Sequence, residues 1–118
     1  DLVGSLSCFR MANDLDSTHP LPYVNAARTY LQLNQKTQSK GHVDQALLLD
    51  PNFALTYVDK AQSILQEGNT QEALSTLDKA LSLSRHVSDI GDVLTARRVA
   101  EIQEVLQEEG LYYPPQMN

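Results

Sequence analysis

Three histidines (His19, His42 and His86), one cysteine (Cys8) and the carboxylates Glu101, Glu104, Glu108 and Glu109 are the side chains best suited to hold a metal or move a proton. A zinc site needs three or four such ligands converging on one point, commonly from short paired spacings. Here the histidines fall in two turns and on one helix, with no thiol or carboxylate at ligand spacing. The glutamates recur every three or four residues, which is the spacing of a solvated helix face. No glycine-rich phosphate loop or nucleophile elbow is present. The pattern predicts neither catalysis nor a cofactor, and no metal site. Cys8 is expected to be a small buried apolar residue without a disulfide partner, which fits a reducing compartment such as the cytosol.

The elements that would position any site are read from composition and period. The chain has 118 residues, 42% of them hydrophobic and only 6% aromatic. Ala, Leu and Gln are frequent, a balance that favours helices. The net charge of −6 opposes binding to nucleic acid or to an anionic membrane, because no excess of cations is there to release counterions from phosphates. No apolar run reaches the length of about 20 residues that a membrane helix needs. The first residues already look helical and the chain does not begin with Met, so it is expected to be part of a longer protein.

A shift of 34 positions superposes the chain on itself without a gap. Tyr23 falls on Tyr57, Ala27 on Ala61, Tyr30 on Ile64, Asn34 on Gly68, Ser39 on Ala73, Val43 on Leu77 and Ala46 on Ala80. The opening residues continue the register, with Ser5 on Ser39, Phe9 on Val43 and Ala12 on Ala46. Within a unit, Tyr57, Ala61, Ile64 and Leu65 make a helical stripe, Gly68-Asn69-Thr70 breaks it, and Ala73, Leu77 and Ala80 make a second. Gly68 suits a left-handed C-cap and Thr70 an N-cap. The polar stretch from Asn34 to Lys40 lacks glycine, so the first hairpin has a weaker turn signal. One helix pair cannot bury its own apolar face, and stacking does so.

The positions carrying Tyr23, Ala27, Tyr30, Ser39, Ala46 and Pro51, and then Tyr57, Ala61, Ile64, Ala73 and Ala80, resemble the tetratricopeptide repeat. Lys60 and Arg85 depart from the pattern. The resemblance implies an all-α, right-handed superhelical solenoid of antiparallel helix pairs that binds protein or peptide ligands. The expected divisions are the second helix of a unit over 1–19, whole units over 20–51 and 52–85, and a C-terminal capping helix and tail over 86–118. Ser88 or Asp89 would cap that last helix, Ile90 to Glu109 would form it, and Gly110 and Pro114-Pro115 would end it. Its apolar side would include Val99, Ala100, Ile102, Val105 and Leu106, and its polar side Arg97, Arg98 and the glutamates.

In such repeats the first helix of each pair lines a concave groove. The equivalent residues here are Leu21, Val24, Asn25 and Arg28, then Leu55, Val58, Asp59 and Gln62, with Leu31 and Leu65 further along. Repeats that grip C-terminal carboxylates place Lys and then Asn or Arg where this chain has Leu21 and Leu55, Asn25 and Asp59. Only Asn25 fits, and Asp59 is expected to repel such a tail.

The stretches Ala80-Leu81-Ser82-Leu83-Ser84-Arg85 and Ala100-Glu101-Ile102-Gln103, with Gly110-Leu111 and Pro114-Pro115, resemble the C-terminus of a family of mitochondrial outer-membrane import receptors. That resemblance implies a receptor for hydrophobic preproteins at the cytosolic face of the outer membrane, with an anchor and a chaperone clamp upstream. The alternative is a scaffold of another assembly, or a module for capping and self-association.

Overall fold

A computed structural model describes residues 4, 6–8, 11, 18–84 and 90–112, with no side-chain detail for 90–94. The described residues hold five long helices: α1 (Pro20–Gln32), α2 (Lys36–Leu49), α3 (Ala54–Gln66), α4 (Thr70–Ser84) and α5 (Ile90–Glu108). Residues 4, 6–8 and 11 are helical as well, and no strand occurs among the described residues. The chain is an all-α stack of helix pairs. α1 pairs with α2 and α3 with α4, and α3 also packs on both helices of the pair before it.

The starts and stops follow local chemistry. Pro20 opens α1 at a position where no backbone donor is needed, and His19 caps it, its Nδ1 accepting from the Leu21 amide at 3.1 Å. Three helices close in one way. At the end of α3 the Gly68 and Asn69 amides donate to the Leu65 and Ile64 carbonyls at 3.0 and 3.2 Å. Asn34 and Gln35 do the same for α1, and Gly110 and Leu111 for α5. The pivotal residues have φ of +61° (Asn34), +87° (Gly68) and +75° (Gly110). Asparagine tolerates this left-handed conformation better than other residues with a Cβ, so Asn34 supplies the turn that a missing glycine left in doubt. α2 accordingly begins inside the stretch expected to be loop. At the next start the residue ahead of the helix is Asn69, whose carbonyl accepts from Ala73 at 3.0 Å, and Thr70 is the first helical residue and not the cap.

The core is built where the repeat is most regular. Ala27, Ala61, Ala46, Ala73 and Ala80 have no exposure, and Ser39 has 2%. These small residues let the paired helices approach, and the Ser39 hydroxyl donates to the Ala27 carbonyl across the first hairpin at 2.7 Å. Tyr57 joins the same core and its hydroxyl donates to the Pro51 carbonyl at 2.7 Å, tying the turn before α3 to the helix. Lys60, the departure from the pattern, is exposed and costs the core nothing.

α5 docks on α3 and α4 as α3 docks on α1 and α2. Its buried side runs Thr95, Val99 and Leu106, with Ile102 half-buried between them. Thr95 stands 34 positions after Ala61 and shares its burial. Ala100 and Val105, expected on the apolar side, are exposed, and Arg98, expected in solvent, is largely buried. The helical stripe 95, 99, 102, 106 explains this, since 100 and 105 fall off it and 98 falls beside it. Cys8 is exposed, against expectation. Ser7, Cys8 and Met11 share one arc of their helix, and all three face outward. His86, Ser88, Asp89 and Pro114-Pro115 lie outside the described residues.

Candidate functional site

α1 and α3, the first members of their pairs, and α5, which packs on the second pair, border a groove of about 780 Å³ between their C-terminal halves. α1 contributes Arg28, Thr29, Leu31 and Gln32, and α3 contributes Gln62, Leu65 and Gln66. The third wall is α5, through Arg98, Glu101, Ile102, Val105 and Leu106. Aliphatic side chains alternate with amides and two guanidinium groups, a lining suited to a peptide and without the convergent acid, base or nucleophile that a reaction needs.

The residues expected to line a groove divide into two sets. Arg28 and Gln62 do line it, as do Leu31 and Leu65. Leu21 and Asn25 are half-buried and lie outside the cavity. Val24, Leu55, Val58 and Asp59 lie outside the cavity too, and each has 2% exposure or less. The first half of α1 and of α3 packs against neighbouring helices, and Val24, Leu55 and Val58 belong to the core there. The α5 wall was not foreseen. Adding 34 once more to Ala61 gives Thr95 and would have pointed to it.

Asp59 is the most unusual group near the site. It has 2% exposure, neither carboxyl oxygen accepts a hydrogen bond, and Arg98 Nη1 stands 4.0 Å from Oδ1. Burial pushes its pKa up to about 7, and the Arg28 charge opposes that rise. A carboxyl so placed keeps its proton to near neutrality, because removing the charge from water costs more than the Arg28 charge returns. It is not among the residues that line the groove. Elsewhere His42 lies against Tyr23 and Tyr30, with ring centroids 6.2 and 5.0 Å apart. No group of three or more His, Cys, Asp or Glu residues able to hold a metal occurs among the described residues.

The side-by-side first helices, the small residues between paired helices and the 34-residue register define a helical repeat scaffold. Residues 22–53 match the family model for the tetratricopeptide repeat. That span holds most of α1, all of α2 and the turn that follows, and repeats of this kind are typically non-enzymatic surfaces for protein partners. No curated protein and no solved structure matches the chain. None of the described helices is long and apolar enough to cross a membrane.

Proposed function

We propose that the chain is a peptide-binding part of a repeat scaffold and that the groove between α1, α3 and α5 receives an apolar segment of a partner protein. The observation that carries this reading is the lining. Arg28, Leu31, Gln62 and Leu65 come from equivalent positions of two repeats and meet Ile102, Val105 and Leu106 across the cavity. Val105 is 53% exposed and gains burial only when something occupies the groove. An aliphatic side chain fully withdrawn from water contributes roughly 1.5–3 kcal/mol.

The finer reading we propose is the preprotein-receiving end of a mitochondrial outer-membrane import receptor, working at the cytosolic face. It rests on the resemblance of the C-terminal sequence and on an aliphatic groove suited to hydrophobic precursors. Titration with a labelled hydrophobic precursor peptide tests both levels. We expect saturable binding that weakens at least about tenfold, or about 1.4 kcal/mol, when Val105 is replaced by Asp. Saturable binding that Val105→Asp leaves unchanged would put the ligand elsewhere. Binding of unrelated apolar peptides as tightly as the precursor would retain the scaffold and remove the import assignment. Self-association without peptide affinity would favour the capping and oligomerisation alternative.

A further inference from the structure

Resting on the peptide-groove reading, we propose that this groove selects a segment carrying a carboxylate beside large apolar side chains, with Arg28 and Arg98 as the groups that read the carboxylate. The two guanidinium groups line the same cavity from α1 and from α5. Arg28 donates to the neutral Asn25 side chain at 3.3 Å and, among the described residues, makes no ion pair within 4.0 Å. Arg98 has a side-chain exposure of 23%, and its buried Nη1 has no hydrogen-bond partner. Its nearest carboxyl, Asp59, stands 4.0 Å away and holds a proton to near neutrality. Both side chains line the cavity, and Arg28 has donors beyond the one spent on Asn25.

The rest of the lining does not cancel that charge. Among the described residues Glu101 is the one carboxylate on the wall, 67% exposed and 3.7 Å from Arg97 on the outer side of α5. Gln32, Gln62 and Gln66 are neutral. A purely apolar occupant would desolvate two guanidinium groups without replacing their water, which is unfavourable. A basic occupant would meet like charge. A carboxylate can take two parallel N–H donors from an arginine, the strongest pairing open to that side chain. Leu31, Leu65, Ile102 and Leu106 then accept its aliphatic neighbours. The local sign opposes that of the whole chain, whose net charge is −6. Preference for an acidic peptide therefore cannot come from the overall field and must come from the groove.

The test is fluorescence anisotropy with a labelled peptide alternating leucine and glutamate and a matched peptide with glutamine for glutamate. We expect the glutamate peptide to bind at least about tenfold more tightly. Arg28→Gln should remove most of that difference, Arg28→Lys should restore part of it, and far-UV circular dichroism should stay unchanged. Arg28 is chosen first because it is half-exposed and its hydrogen bond is to the half-buried Asn25 side chain, on its own helix. Arg98→Gln paired with Asp59→Asn keeps the second arginine testable without leaving a buried acid alone. Equal affinity for the two peptides overturns the acid preference and leaves a groove for apolar segments. A preference that survives both sets of variants overturns the assignment of these arginines. Binding of neither peptide overturns this inference, and failure of the precursor titration as well would overturn the groove reading beneath it.

Discussion

A carboxyl group with both oxygens lacking a hydrogen-bond partner and an arginine no closer than 4.0 Å is held by burial, not by partners, and it leaves a signature in stability. Asp59 has a folded pKa of about 7 against an ordinary 3.8. Between those values the folded chain holds the proton that the unfolded chain has released. The contribution to stability is therefore fully present below about pH 4 and is lost as the pH rises through about 7. One unit of displacement corresponds to about 1.4 kcal/mol, so we expect urea unfolding to show a loss of at least about 1 kcal/mol between pH 5 and pH 8. Asp59→Asn, neutral throughout, should flatten that part of the profile, and the difference between the two proteins isolates Asp59 from every other titrating group. Parallel profiles would show that Asp59 is solvated. The sequence placed this residue on the right helix, but spacing alone does not reveal that a neighbouring helix covers it.

At the scale of the element, the closing turns are the points where one residue type decides the outcome. Gly68 holds φ +87°, and a Cβ there would meet nothing within 4 Å. Gly68→Ala is thus a backbone experiment with no steric collision mixed in. It should cost about 1–2 kcal/mol, the penalty of a left-handed residue that has a side chain. Asn34, its equivalent one repeat earlier, already bears part of that penalty, so Asn34→Gly should be neutral or slightly stabilising. Urea midpoints of the two variants check both signs, and an unchanged midpoint for Gly68→Ala would mean that the turn has another conformation. The turn at Gly68 was legible because glycine announces it. The one at Asn34 was legible only through the 34-residue pairing of Asn34 with Gly68, since its own neighbourhood reads simply as polar. The helix stripes were legible throughout α3 and α4, where large and small residues alternate clearly. In α5 the stripe is diluted by Thr95 and Arg98, polar residues in buried or largely buried places, and so Ala100 and Val105 were placed on the wrong side.

At the scale of the whole molecule, stability and binding surface come from the same stacking. Each first helix completes the core of the pair before it and in doing so adds one wall to the groove, which is why a site between α1, α3 and α5 could not be assembled from the face of any single helix. The 34-residue register gave the order of stacking, while the burial of Val24, Leu55 and Val58 depends on how closely neighbours approach, which the register leaves open. Removing α5 by ending the chain at Ser84 separates these contributions. Val99 and Leu106, with 1% and 4% exposure, would no longer cover the α3–α4 pair, and Asp59 would regain water on that side. Lost burial of those two side chains costs roughly 3 kcal/mol or more, offset in part by the rehydrated carboxyl. We expect the shortened chain to unfold at lower urea and to lose the α5 wall of the groove, along with peptide affinity. The uncovered apolar face should also drive concentration-dependent self-association, seen by sedimentation velocity, because an unpaired repeat face is stable only when another surface covers it. A shortened chain that stays monomeric and unfolds at the same urea concentration would show that α5 hangs beside the stack without completing it, and the groove would then lose its third wall as an argument.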